Sequence, residues 1–245
     1  MIRVAAVGDV HMSADARGSL HDAFATLPEH ADVLLLAGDL TRTGTEDELQ
    51  VLLDELDAVA LPQFAVFGNH DFESDRVDAL VKLLEGNGVR VLEGDADVVR
   101  VDGETLGIAG TKGFGGGFAG ACGSDFGEPE MKAFVRHTRD LSDALGRALD
   151  SLDTDVRVAL THFAPVKDTL GAERLEIYPF LGSYLLGEAI DHAKCDLALH
   201  GHAHHGTERG LTPGGVPVRN VALPVIKVSY NVYVVGEDEP ARATG

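Results

Sequence analysis

The chain has 245 residues, of which 40 are acidic and 20 basic, giving a formal net charge of −20 with His neutral. With no Lys/Arg run to offset it, that charge repels long polyanions and anionic bilayers, so bulk electrostatics make nucleic acid polymers and anionic membranes poor partners. Hydrophobic residues make up 44% and charged ones 24%, which excludes a disordered acidic segment and suits one domain, or at most two, with a core of its own.

Met1 leads straight into an apolar run at residues 2–7, without the basic start, long apolar stretch and cleavage site of a secretory leader. No stretch approaches the roughly 20 apolar residues of a membrane span. Cys122 and Cys195 fall in no paired spacing, so the expectation is a reduced thiol pair in a soluble, cytoplasmic protein.

Residues 2–7, 33–37 and 64–67 read as buried strands. Between them, Leu20, Ala23, Phe24 and Leu27 recur at helical spacing, as do Leu49, Leu52, Leu53 and Leu56, and then Val77, Leu80, Val81 and Leu84. Residues 98–101 and 105–110, joined by Asp102-Gly103-Glu104, predict a hairpin. From Gly110 to Gly127, eight of eighteen residues are Gly. This stretch, 110–128, reads either as a mobile surface excursion or as a lid from which Lys112 reaches an anion; it has no Walker signature. A helix is predicted over 129–152, a strand over 156–161, a helix over 185–192, and strands over 197–200, 216–222 and 229–235. The sequence predicts an α/β fold in a single domain over 1–236, followed by a polar tail at 237–245.

Chemistry gathers where these strands end. The first runs into Gly8-Asp9-Val10-His11, the second into Gly38-Asp39, and the third into Gly68-Asn69-His70-Asp71. The strand at 156 ends in His162, and the one at 197 leads to Gly201-His202-Ala203-His204. Carboxyl ends of strands in an open α/β sheet form one rim, so these groups converge. Asp9, His11, Asp39, Asn69, His162, His202 and His204 make seven side chains of imidazole, carboxylate and amide type. That donor set suits Mn, Fe, Zn, Co or Ni, is too large for one ion, and suits two ions sharing a carboxylate. Singly, Asp39 reads as a turn or cap and His162 as a hydrogen-bonded core residue. Together, in order and each after a strand, they do not.

In this order the motifs D-x-H, GD, GNHD, H and GHxH closely resemble those of the calcineurin-like metallophosphoesterase superfamily, and the resemblance runs from Met1 to about Val235. It implies a four-layer α/β/β/α sandwich of two mixed sheets flanked by helices. It implies two divalent or transition metal ions, Mn, Fe, Zn or Mg. Asp9, His11, Asp39 and His204 would hold one ion and Asp39, Asn69, His162 and His202 the other, with a bridging hydroxide for in-line attack on a phosphoester. His70 matches the position that protonates the leaving oxygen or binds phosphate, beside Asn69. Many relatives place an Asp three residues after the Asp39 position and a cation next; here Arg42 and Thr43 stand there. Arg42 is therefore either a bidentate phosphate ligand or a solvated loop residue, and Asp-assisted activation of His70 is in question.

The DVH, GDLT, GNHD and GHAHH strings are similar to those of bacterial cyclic-nucleotide-type phosphodiesterases, which favours a phosphodiesterase on a small phosphoester. A phosphomonoesterase or nucleotidase of the same fold is the alternative. A metal-binding scaffold without catalysis would be expected to lack a ligand His, and none is missing; a nuclease is disfavoured by the charge. His200 reads as a buried strand-end residue or a partner to a ligand, and His205 as facing substrate or solvent. Arg157, Lys167 and Arg174 read as ordinary charges. Tyr178, Phe180 and Tyr184 either belong to the core or wall the cleft against a base or an apolar leaving group.

Overall fold

Strands covered on both faces need apolar side chains on both, so they appear in sequence as unbroken runs. This is why residues 2–7 and 33–37 are legible. In the computed structural model, which describes residues 1–236, the chain runs β1 (Ile2–Val7), α1 (His21–Ala25), α2 (Leu27–His30), β2 (Val33–Ala37), α3 (Glu46–Leu56), β3 (Gln63–Val66), α4 (Val77–Gly86), β4 (Val89–Val91), β5 (Asp95–Val101) and β6 (Glu104–Thr111). It continues through β7 (Gly117–Phe118), β8 (Ala121–Cys122), α5 (Pro129–Asp150), β9 (Val156–Thr161), α6 (Tyr178–Leu181), α7 (Tyr184–His192), β10 (Leu197–His200), β11 (Arg209–Leu211), β12 (Pro217–Asn220), α8 (Leu223–Ile226) and β13 (Asn231–Val235). The tail expected at 237–245 lies outside the described residues.

Two large sheets form, with strand orders β13-β1-β2-β3-β4 and β11-β12-β10-β9-β6-β5. In the first, β1 to β4 are parallel and β13 pairs antiparallel with β1. In the second, β6, β9, β10 and β12 are parallel, and the edge strands β5 and β11 run antiparallel.

The period-two alternation of a strand sorts side chains between layers. Val4, Ala6, Val33, Leu35 and Val66 meet Leu106, Ile108, Val158, Leu160 and Leu199 between the sheets. Their neighbours Ala5, Val7, Leu34 and Leu36 turn outward against Leu49, Leu52 and Leu56 of α3 and Leu80 and Leu84 of α4. On the other side, Ala109, Ala159 and Ala198 lie under Leu145 and Leu149 of α5 and Leu186 and Ile190 of α7. Three cores separate four layers, so the helix-sheet-sheet-helix sandwich is the observed architecture. Thr45 caps α3, its hydroxyl accepting from Glu48 N at 3.4 Å, while Glu46, Asp47 and Glu48 set negative charge at the positive end of the helix dipole.

The glycine-rich stretch divides into a packed half and an exposed half. Gly110 and Thr111 finish β6, and β7 and β8 pair with each other. Gly116 N and Gly117 N donate to the carbonyls of Pro179 and Gly182 at 2.6 and 2.8 Å. A Cβ on Gly115 would stand 2.3 Å from Pro179 O, and one on Gly117 2.1 Å from Ala121 O. These glycines permit close backbone approach, so residues 110–118 are packed, whereas most of 119–128 is exposed.

Among the described residues no helix is long and apolar enough to cross a membrane. Neither cysteine is disulfide-bonded: Cys122 is exposed, whereas Cys195 is buried and its thiol is pushed up to about 12 by that burial. A thiol held protonated and inaccessible does not react. Native protein at pH 8 is expected to release one equivalent of thionitrobenzoate from Ellman's reagent, and two after denaturation. Two equivalents from the native protein would contradict the packing of α7 against β10.

Candidate metal centre

All the singled-out groups leave the carboxyl ends of parallel strands, and backbone pairing continues beyond each strand. Asp9 N donates to Gly38 O at 2.9 Å and His11 N to Asp39 O at 3.0 Å, zipping together the loops after β1 and β2. In the second sheet, His162 N donates to Lys112 O and Gly201 N to His162 O, each at 3.1 Å. Two contacts cross from sheet to sheet. His162 Nδ1 lies 2.8 Å from Ala37 O, and His202 N donates to both Asp9 carboxylate oxygens at 2.9 and 3.0 Å. Asp9, Asp39 and His162 are thereby buried at the seam.

Holding them there strains the backbone. Asp9, His11, Asp39 and His202 all have positive φ, at 56, 43, 50 and 70°. Non-glycine residues in this region cost of order 1–3 kcal/mol each and persist only where the surroundings impose them. The flanking glycines are sterically required: a Cβ on Gly68 would stand 2.1 Å from Asp39 Oδ1, and one on Gly201 2.2 Å from Asp9 Oδ2.

Two sets of donors result. Asp9, His11, Asp39 and His204 each present an atom within 4.8 Å of the others, and so do Asp39, His162 and His202. Asn69 Oδ1 joins the second set, 3.2 Å from His162 Nε2. The donors fit cations. The Ala37 carbonyl can only accept, so His162 Nδ1 donates to it, and the tautomer so fixed carries its lone pair at Nε2. That lone pair faces Asn69 Oδ1 at 3.2 Å and Asp39 Oδ1 at 3.4 Å, and three electron-rich atoms so placed call for a positive ion between them. His11 Nε2 is buried with no hydrogen-bond partner among the described residues, as a nitrogen reserved for a ligand bond would be.

Residues 2–206 match the calcineurin-like phosphoesterases. The chain belongs to that family. It is a metal-dependent phosphoester hydrolase, and its cluster suits divalent ions in a binuclear site. The fold is similar to that of the phosphopantetheinyl hydrolase from Mycobacterium tuberculosis, with TM-score 0.71 and 18% identity over 99% of this chain and 98% of that one. It is also similar to a hypothetical protein from Thermus thermophilus, with TM-score 0.55 and 17% identity over 89% and 75%. A further likeness is to TT1561 of the same organism, with TM-score 0.52 and 20% identity over 89% and 88%. At such identities the likeness is one of fold. No curated protein matches the chain.

The electrostatics of this phosphoesterase favour ligation. Burial, aided by neighbouring His162, pushes His202 down to about 4, so its ring stays neutral; its Nε2 donates to Phe180 O at 3.0 Å and leaves Nδ1 as the lone-pair nitrogen. Burial also lowers the pKa of His11. Burial opposes the charge of Asp9, yet the hydrogen bond from His204 and the other groups around it hold its carboxyl below its ordinary value. In return, the 2.8 Å contact with Asp9 raises His204.

His70 stands beside the cluster. Its backbone N–H donates to Asp39 Oδ1 at 2.8 Å, and its ring Nδ1 donates to the main-chain carbonyl of Arg42 at 2.9 Å. A backbone carbonyl thus orients His70 where the family pattern would supply an Asp. The Arg42 guanidinium itself pairs with Asp15 at 3.2 Å and is not brought into the cluster. Sequence reasoning passed over Asp71, which is fully buried. It accepts from Leu40 N, Thr41 N, Thr41 Oγ1 and Gly68 N at 2.6 to 3.2 Å, fastening the loop after β2 to the loop after β3. Burial, with Asp39 nearby, pushes its carboxyl up to about 6 against those donors. Its position in the GNHD string was the available signal.

His200 is the buried strand-end residue, with Nε2 2.8 Å from Thr169 Oγ1, and His205 is exposed. Arg157 ties down the Leu152 and Ala193 carbonyls, a structural use. Tyr178 packs on Phe118, while Phe180 and Tyr184 are exposed; the Phe180 carbonyl, not its ring, orients His202. Lys112 is 8% exposed, with Nζ 4.9, 5.0 and 5.3 Å from the ring centroids of Phe72, Phe114 and Phe163. Its backbone N–H donates to Glu93, an acid that sequence reasoning passed over.

Gly68→Ala tests the steric argument. The added methyl cannot coexist with Asp39 in its present position, so elemental analysis is expected to find at least one metal fewer per chain than in wild type, with an unchanged far-ultraviolet circular dichroism spectrum. Full metal content would refute the requirement for glycine.

Proposed function

We propose that this phosphoesterase is a two-metal phosphodiesterase of small phosphoesters. In this reading Asp9, His11, Asp39 and His204 hold one ion, and Asp39, Asn69, His162 and His202 the other. The observation that carries it is that Asp39 belongs to both donor sets. Mn, Fe, Zn and Mg are all compatible with these oxygen and imidazole donors. When bound, two such ions supply Lewis-acid polarisation of the phosphoryl oxygens and acidification of the attacking water.

The chain's residues do the rest. Asn69 and His70 lie where a phosphoryl group would meet the protein. Because Nδ1 of His70 is committed to the Arg42 carbonyl, its Nε2, 4.0 Å from Asp39 Oδ2, is the nitrogen available to pass a proton to an alkoxide leaving oxygen. Arg42 serves through that carbonyl. The diester is favoured by the similarity of the DVH, GDLT, GNHD and GHAHH strings to those of bacterial cyclic-nucleotide-type phosphodiesterases. The net charge of −20 favours small substrates over polymers. A reducing, cytoplasmic setting agrees with two unpaired thiols.

With both metals supplied, kcat/KM for bis(p-nitrophenyl) phosphate is expected to exceed that for p-nitrophenyl phosphate; the reverse order would assign a monoesterase. Asp39→Ala removes the shared ligand, and turnover is expected to fall by orders of magnitude together with metal content. His70→Gln is expected to keep both metals and lose roughly 10²–10⁴-fold in kcat, the usual contribution of a positioned acid or base. Wild-type kcat in that variant would remove His70 from the mechanism.

A further inference from the structure

The ammonium of Lys112 is a buried charge without a protein anion in contact. The side chain is 8% exposed, and among the described residues Nζ makes no hydrogen bond and no ion pair within 4.0 Å. Glu93, the nearest candidate by sequence, spends its carboxylate on Thr111 Oγ1 at 2.8 Å and on the Lys112 backbone N–H at 3.2 and 3.3 Å. Three phenyl faces surround Nζ at about 5 Å. Such contacts orient a cation but offer no acceptor for its three N–H groups. A desolvated ammonium kept in this state is costly unless an anion arrives.

Its surroundings say where that anion would sit. Phe72 follows His70 by two residues, and Phe163 follows His162 directly. The Phe163 ring lies 4.3 Å from the His202 ring, and the Lys112 carbonyl accepts from His162 N at 3.1 Å. Two of the three rings that cage Nζ are therefore carried by the strand ends that carry Asn69 and His162 of the second donor set, and Asp39 lies close enough to bear on the Lys112 charge.

We propose that Lys112 is a substrate-binding residue whose ammonium takes a non-bridging phosphoryl oxygen of the phosphoester, and of the phosphate product, beside the Asp39, Asn69, His162 and His202 set. The proposal rests on the two-metal reading above and adds the protein's own cation to it. A lysine supplies a compact point charge here, and the phenyl cage replaces the geometric constraint a guanidinium fork would bring.

The test is calorimetric titration of inorganic phosphate into the metal-loaded protein, wild type against Lys112→Met and Lys112→Gln. Loss of one hydrogen bond to a charged group is expected to weaken phosphate binding by about 10–100-fold. KM for a phosphoester should rise while kcat changes less, and elemental analysis should find both metals retained. Replacing a largely buried ammonium that has no protein acceptor by Met should also raise the melting temperature of the phosphate-free protein, whereas a structural role would lower it. Variants that keep both metals and bind phosphate as wild type does would overturn the assignment of Lys112 alone. If the metal-loaded wild type neither binds phosphate nor hydrolyses any phosphoester, the two-metal reading falls, and Lys112 with it.

Discussion

Two carboxylates, Asp9 and Asp39, are 2% and 1% exposed at the seam between the sheets, and the rest of the site follows from that burial. A desolvated carboxylate must be met by donors or cations. The fold first supplies fixed donors: His202 N to Asp9 and His70 N to Asp39. It then places imidazoles around the oxygens that remain. The positive-φ residues and the flanking glycines are what it takes to bring backbone and ring atoms that close, so local strain and steric emptiness are both consequences of two buried charges.

The site draws on both sheets, and this makes the inter-sheet core part of the chemistry. Asp9, Asp39 and Asn69 leave the first sheet, whereas His162, His202 and His204 leave the second. Their separation is set by how Val4, Leu35 and Val66 pack against Ile108, Val158 and Leu199. A change of fit in that apolar layer moves one half of the ligand set relative to the other, because close-packed interiors transmit strain.

Much of this was legible in sequence for a simple reason. Strands buried on both faces are apolar runs, and each run here stops abruptly at Gly followed by Asp, Asn or His. What stayed hidden follows different physics. The edge strands β4 and β11 are three residues long and partly solvated, so no apolar run announces them. The hairpin strand β5 begins with Asp95-Ala96-Asp97, whose polarity hides three residues of pairing. Gly115 and Gly117 permit close backbone contact, a role that depends on which backbone lies opposite, whereas a Cβ on Gly120 or Gly127 would meet nothing within 4 Å. The Arg42 carbonyl engages His70, and no side-chain reading can foresee a main-chain role. Asp71 and Glu93 gave no periodic signal because each satisfies loop N–H groups, not a face.

The order in which the donors appear along the chain has a consequence for biosynthesis. The first, Asp9, is made almost at once, and the last, His204, only after some two hundred further residues. Neither donor set is complete without a residue beyond position 200, since one needs His204 and the other His202. During translation the acidic partners are exposed early, but no nascent chain short of that point presents a finished cage. A complete cage is thus available only once the chain has passed His204.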